Sequence, residues 1–298
     1  MKIASLVEIA HGTLLNKPTI ERVTGFSFSA KNTRRGECYI HLFGHLGEIN
    51  LAIANGAFAV IFKGDPGDME SESALIFSDD MGKSMSGIAR YLLLSKNVVI
   101  TIASEIEIAI AKALINDKKC LINPPLDIAV EALASENDFC YLCDEKSDLF
   151  FASFLQDQIK IGEVKVTKET LFETVIAHNG ESYLVQISPL FKRQFANVLC
   201  YAATNALKIN FSRQIELNRF NKIDVNDRAI IFDEANEEEE NEAINFIKRI
   251  APWAKLYIAP KNIKITYSDI RKNRFDIAYI NGVKRENFDL SAPSQTLF

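Results

Sequence analysis

RVTGFSFSAKNTRRGECYIHLFGHLGEINLAIANGAFAVIF, from Arg22 to Phe62, is the stretch that decides the fold, and the rest of the chain reads outward from it. Phe26–Phe28 has the pattern of a short strand, Asn32–Gly36 that of a turn, and Cys38–Phe43 that of a second strand. Ile49–Ala54 is an amphipathic helix, closed by Asn55-Gly56 because glycine tolerates the left-handed conformation that ends helices. Ala57–Phe62 is then a buried strand of small and β-branched residues. Strand, helix and strand in this order predict a parallel α/β layer.

On either side the same rhythm continues. Residues 3–10 make a helix with Ile3, Leu6, Val7 and Ala10 on one face. After a polar loop, Gly64–Ser73, come the strand Ala74–Phe77 and a helix from Met81 to Ser95. Val98–Ile102 is a buried strand, and Ser104 caps a helix running to Ile115. Past Asn123-Pro124-Pro125, the helix Asp127–Ala134 leads to the strand Phe139–Cys143. The texture then changes. Ile161–Val166, Glu173–Ala177 and Ser182–Ile187 alternate as antiparallel hairpins, with Asn179-Gly180 as one turn. Phe195–Leu207 is a helix, Lys208–Asn226 a composition shift, and Arg228–Phe232 a strand. Glu239–Ile250 is a helix whose start, Glu237–Glu240, suits the helix dipole. Lys255–Ala259 and Asp276–Ile280 are strands, and Ser291–Phe298 is a loose tail.

Composition narrows the function. A chain of 298 residues, 48% hydrophobic and 24% charged, suffices for two or three domains with their own cores. A net charge of −5 argues against nucleic acid as a partner, since phosphate neutralisation needs a basic face. No apolar run reaches the roughly 20 residues of a membrane helix, and MKIASLVEIAHG reads as a first helix rather than a signal peptide. Five irregularly spaced cysteines fit a reducing, cytoplasmic compartment.

In order and spacing the opening stretch resembles the N-terminal domain of the Mur ligases, above all the MurF and MurE type. There a DSR tripeptide precedes a pG-d-lF-v-A-l-kG run, a helix ending in nGA and a Val-rich strand. The corresponding residues here are Ser29-Ala30-Lys31, then Arg35-Gly36-Glu37-Cys38-Tyr39-Ile40, Gly44, and Asn55-Gly56-Ala57. Further on, Asp79 with Ile88-Ala89-Arg90 resembles the Mur linker. PLFKRQFANVLCYAATNALKINF resembles the helix closing a Mur central domain, with Asn197 as the aligned Asn. Ile231–Asn236 resembles the start of the C-terminal domain, keeping Asp233 and Asn236 of a D-s-Y-N-a-N-P turn.

The resemblance implies an α/β, MurF-like multidomain protein. It divides into a small N-terminal domain of the uridine-binding type (1–78), a reduced parallel-sheet central domain with antiparallel hairpins (79–212) and a small Rossmann-like C-terminal domain (213–298).

A nucleotide-hydrolysing ligase of this type needs a TGxxGKT-like turn between strand and helix, whose amides and Lys hold phosphates. After Val98–Ile102 the chain instead reads Ala103-Ser104-Glu105-Ile106-Glu107-Ile108-Ala109, without glycine and with Glu107 or a neighbour in the place of the Lys. At about 4 Å and an effective dielectric near 20, such a reversal of sign opposes phosphate by several kcal/mol. A GKS does occur at Gly82-Lys83-Ser84, but Phe77 stands where the first Walker glycine belongs, and helix capping explains it. Cys140 and Cys143 read as core residues, their sulfurs on opposite strand faces, and His41 with His45 lacks the helical geometry of a metal pair.

One candidate ligand site remains. Lys31, Asn32, Thr33, Arg34 and Arg35 form a basic, hydrogen-bonding turn, and Gly44 and His45 lie in the loop expected beside it. In the resembled domain the DSR region helps to bind uridine diphosphate; here Ala30 has lost the hydroxyl while the cations for a diphosphate are kept. No catalytic residue, metal or cofactor is expected.

The function implied is that of a non-catalytic MurF-like protein linked to peptidoglycan precursor metabolism. It would act through a UDP-MurNAc-peptide ligand or as a partner of cell-wall biosynthesis proteins. Two alternatives stay open: an active Mur-type amide ligase with a non-standard nucleotide site, and a scaffold with no small-molecule ligand.

Overall fold

Strands such as Ala-Val-Ile-Phe are apolar on both faces, so a sheet built from them needs a helical layer on each side. The computed structural model describes residues 1–42, 45, 47–65, 71–96, 100–134, 140–147, 156–178, 180–261 and 266–288. The chain divides into two compact units, Met1–Ser104 with Asp117–Ile159, and Glu105–Asn116 with Lys160–Phe298.

The first unit opens with helix α1 (Ile3–Ile9) and a five-stranded sheet: β1 (Thr13–Leu14), β2 (Gly25–Ser27), β3 (Glu37–Ile40), β4 (Ala59–Phe62) and β5 (Ala74–Phe77). Its order is β1-β5-β4-β3-β2, with β2 to β5 parallel and β1 antiparallel on the edge. Helix α2 (Gly47–Ala54) covers one face, where Ile49 and Ala52 pack on Tyr39, Val60, Phe62 and Leu75. Successive strand residues point to opposite faces. The other face, carrying Cys38, Ile40, Ile61 and Ile76, is therefore left for different helices.

Those helices are α1, α3 (Met81–Lys96) and, after the second sheet begins, α5 (Leu126–Ala134). The second sheet holds β6 (Ile100–Ile102), β7 (Cys120–Ile122), β8 (Cys140–Cys143) and β9 (Gln156–Gln158), all parallel in the order β7-β8-β6-β9. Leu6, Ile40, Ile76, Ile88, Val130 and Tyr141 belong to one buried cluster spanning both sheets and the helices. Residues on both sides of position 78 therefore share this cluster.

The second unit begins with α4 (Glu105–Leu114). An antiparallel sheet follows: β10 (Lys165–Glu169), β11 (Thr174–His178) and β12 (Glu181–Val185), the hairpins that the alternation predicts. Helix α6 (Lys192–Thr204) packs on α4. The last sheet has the order β13-β14-β16-β15, from β13 (Asn221–Val225), β14 (Arg228–Asp233), β15 (Leu256–Ile258) and β16 (Ile277–Asn281). Helix α7 (Glu237–Ile250) joins β14 to β15, and α8 (Tyr267–Arg271) joins β15 to β16. β14, β16 and β15 are parallel, and β13 is antiparallel to β14. The protein is thus a mixed α/β fold with several parallel-strand sheets, as the sequence leads one to expect.

Differences are local. Helix α6 starts and ends three residues before the expected Phe195–Leu207, because the apolar face extends back to Phe191. β13 lies within the segment 208–226 that composition left unassigned. Its hairpin turn, Asn226-Asp227, has φ of 50° and 60° at the two residues, the conformation typical of tight hairpins. β1, β7 and β9 are too short to leave a period in the sequence. Val98, Phe139, Asn179 and Ser291–Phe298, each assigned a role above, lie outside the described residues. No described helix is long and apolar enough to cross a membrane.

Candidate functional site

At the position expected for a phosphate loop, β6 runs through Ala103-Ser104 into α4 without a glycine. Glu107, in the first turn of α4, is only 5% exposed. The Asn197 side-chain amide donates to its Oε1 at 2.7 Å, and the Gly162 N–H donates to Asn197 Oδ1 at 2.9 Å. The amide orientation of Asn197 follows: its oxygen meets a donor and its nitrogen a carboxylate. A buried, hydrogen-bonded carboxylate thus stands in the first turn of α4.

The GKS stretch is equally occupied. Ser84 is fully buried in the first unit; its hydroxyl donates to Ala10 O at 2.5 Å and lies 2.7 Å from Ser78 Oγ. It serves the end of α1. Asp80 accepts the Lys83 N–H at 3.1 Å, which is a helix cap. Gly87 shows why this surface of α3 is small: a Cβ there would sit 2.0 Å from Ile9 O. A cleft of about 890 Å³ does open here, at the carboxyl ends of β3, β4 and β5, where open α/β sheets bind ligands. Its charges, Lys63 and Lys83 against Asp79, Asp80 and Asp127, nearly cancel, so it is no phosphate well.

The basic turn folds as a short 3-10 segment, Ala30–Asn32, followed by Thr33. Thr33 is buried, its hydroxyl donating to Ser29 O at 2.9 Å, and it holds the turn together. Lys31, Asn32, Arg34 and Arg35 are exposed, and among the described residues no carboxylate forms an ion pair with the three cations. The turn is tied to the C-terminal end of α2. Asn55 donates to Ala30 O at 2.8 Å, and the Gly36 N–H donates to Gly56 O at 2.9 Å. Gly56 is required there: its φ is +100°, and a Cβ would lie 3.0 Å from Arg35 Cα.

His45 is at the opposite end of the same helix, where its carbonyl accepts the Glu48 N–H at 2.9 Å. Eight helical residues at 1.5 Å each separate the two ends by about 12 Å. The structure therefore brings Lys31–Arg35 together as one turn and does not bring His45 to it. Gly44 lies outside the described residues.

A polar cluster that the sequence reading missed stands at the carboxyl end of β3. Tyr39 Oη donates to Glu48 Oε2 at 3.1 Å and lies 3.2 Å from His41 Nδ1, which must then be the donor in that pair. Burial first, and then the Glu48 carboxylate, push the Tyr39 phenol well above its ordinary range. The signal in the sequence was the alternation Tyr39-x-His41, facing the first turn of the following helix.

In the second unit Asp233 is wholly buried. It takes a two-pronged contact from Arg219, at 2.9 and 3.3 Å, and the Tyr279 hydroxyl at 2.9 Å. Asn236 caps α7 in a reciprocal box with Glu239, and Asn281 clamps both backbone groups of Ala235 at 2.9 Å. These groups hold a turn. Cys140 and Cys143 form no disulfide, and burial foremost pushes Cys143 up to about 11. Among the described residues no cluster of His, Cys, Asp and Glu could hold a metal.

No protein-family model matches the chain, and no curated protein sequence matches it significantly. Among solved structures it is similar to a UDP-N-acetylmuramoylalanyl-D-glutamyl-2,6-diaminopimelate–D-alanyl-D-alanyl ligase from Acinetobacter baumannii, with 10% identity, 96% of each chain covered and a TM-score of 0.43. It is also similar to a crystal structure of MurF from the same organism (12% identity, 86% of this chain and 78% of that one, TM-score 0.42). A third is MurF ligase from Thermotoga maritima in complex with ADP (14%, 90% and 87%, 0.41). At such identities and TM-scores no residue role is carried over from them.

Proposed function

We propose that this chain is a non-catalytic protein of the Mur ligase type, serving peptidoglycan precursor metabolism without hydrolysing ATP. The observation that carries the reading is the buried Glu107–Asn197 hydrogen bond, formed where the resembled enzymes need a phosphate-binding cation. Lys31, Arg34 and Arg35 support retention of a diphosphate-bearing ligand such as a UDP-muropeptide, since these exposed cations lie within five residues. Charge-assisted bonds to an anion contribute about 1.5–3 kcal/mol each before desolvation. Uracil selectivity would be weak, because Ala30 offers no hydroxyl.

The test is calorimetric titration of UDP-MurNAc-peptide, UDP and pyrophosphate into wild type and an Arg34→Ala/Arg35→Ala variant, beside a melting scan with Mg-ATP. Diphosphate binding that is lost in the variant, with no ATP-dependent shift, is expected. Equal binding by both proteins would remove the turn as a site, and binding of none of the three would leave the scaffold reading. A Mg-ATP shift abolished by Lys83→Ala would favour the active ligase.

A further inference from the structure

Cys140 and Cys143 are neighbours in sequence that the sheet sets apart. Tyr141 and Cys143 belong to the buried cluster shared with α3 and α5, and Leu121 of β7 packs against the same cluster. Strand residues alternate between faces, so Cys140 stands on the face opposite Cys143. Its neighbour there is a different cysteine. β7 and β8 run parallel with Cys120 beside Cys140, Leu121 beside Tyr141 and Ile122 beside Leu142. Cys120 and Cys140 are therefore laterally paired, with their side chains on one face of the sheet. No other cysteine has such a neighbour: Cys38 lies beside Phe26 and Ala59, Cys143 beside Ile102, and Cys200 is on α6.

The register meets the main demands of a disulfide. Neighbouring strands are about 4.7–4.9 Å apart. Disulfide-linked Cα atoms lie about 4.4–6.8 Å apart, with Cβ vectors that do not diverge. Side chains standing parallel on a sheet hold their Cβ atoms wider than the roughly 3.8 Å of a relaxed disulfide, so closure asks for a small approach of the strands. β7 is suited to give way, being three residues long and the edge strand of the order β7-β8-β6-β9. A bond closed against such resistance is readily reduced, which makes it a reversible link rather than a permanent one.

The two thiols differ in access. Cys120 is buried and Cys140 is half-buried, so an incoming reagent meets Cys140 first. Burial foremost, and then Asp117, raise the Cys140 thiol, while Lys119 opposes them. Its thiolate is scarce at neutral pH, and attack speeds up as the pH rises.

We propose that Cys120 and Cys140 close into a reversible disulfide by exchange with a small-molecule disulfide such as oxidised glutathione. The Cys140 thiolate attacks one glutathione sulfur and expels a glutathione thiolate. The Cys120 thiolate then attacks Cys140 Sγ, the S–S bond between β7 and β8 forms, and a second glutathione thiolate leaves. The two protons given up by the cysteines end on the two glutathiones. The protein dithiol is thus oxidised, and one glutathione disulfide is reduced to two thiols. The site is independent of the basic turn at Lys31–Arg35 and of the function proposed from it.

The experiment incubates the native full chain with oxidised glutathione, blocks the remaining thiols with iodoacetamide, and maps the unreduced peptides by mass spectrometry. The Cys120 peptide is expected joined to the Cys140 peptide, and dithiothreitol should separate them. The link should form about tenfold faster at about pH 8 than at about pH 7, because the thiolate fraction rises tenfold per unit below the thiol pKa. Cys120→Ser should stop at a mixed disulfide of Cys140 with glutathione, Cys140→Ser should give no link, and Cys143→Ala should still give it. Unchanged melting curves confirm that the variants fold. A Cys140–Cys143 link, a link between two chains, glutathione left on Cys140 of the wild type, or all five thiols alkylated would each overturn the proposal.

Discussion

The side-chain amide of Asn197 reaches Glu107, ninety positions earlier in the chain, with a 2.7 Å hydrogen bond in a setting where both residues are almost fully buried. The pair joins the start of α4 to the middle of α6. It also gives a reason for an acidic residue in the buried first turn of α4.

Glu107→Ala should destabilise the protein by about 1–3 kcal/mol, because the Asn197 amide would lose its acceptor in a dry site. Glu107→Gln, which can keep one bond, should cost less. Glu107→Lys should be the worst of the three and should bring no Mg-ATP binding. Urea denaturation ranks them. A Glu107→Ala protein as stable as wild type would remove the structural role assigned to this pair.

Alkaline stability supplies a second check. Burial pushes the Cys143 thiol to about 11 from an ordinary value of 9.0, and Tyr39, Tyr141 and Tyr279 are also raised, chiefly by burial. The folded state therefore holds these protons more tightly than the unfolded chain. That contribution is complete below pH 9 and is lost as the pH climbs through the folded values. For Cys143 the loss is about 3 kcal/mol between about pH 9 and 11, at roughly 1.4 kcal/mol per pKa unit. Cys143→Ala should flatten this part of the curve of stability against pH. Identical slopes in the two proteins would show that Cys143 does not carry it.

Fragment 1–78 is expected not to fold cooperatively. Its sheet would keep α1 and α2 but lose α3 and α5, exposing the Cys38, Ile40, Ile61 and Ile76 face to water. Exposed apolar area of this kind costs about 25 cal/mol per Å². A sharp melting transition for the isolated fragment would instead support the three-part division at 78 and 212.

Much of the architecture could be read directly because it depends on local pattern. Ala59–Phe62 and Ala74–Phe77 are uninterrupted apolar runs of strand length, and α7 begins with an Asn and four acidic residues. That the turn before α4 has no glycine was also legible, since it is a matter of residue identity alone. β13 was not, because three of its five residues are polar and only its Asn-Asp turn marked it. The Tyr39–His41–Glu48 cluster was obscured for a similar reason: its members share a face only once α2 has folded back over β3.

The sequence alone determined the alternation of strands and helices and the mixed α/β class, because each follows from residues adjacent or nearly adjacent in the chain. Tertiary structure decided which groups share a space. It buried Ser84 against Ala10 and Glu107 against Asn197, and it placed the Lys31–Arg35 turn and His45 at opposite ends of one helix. It also turned Phe220 inward beside an Arg219 locked by Asp233. Such pairings depend on burial and on the directions in which packed elements run, and linear spacing does not encode either until the core has formed.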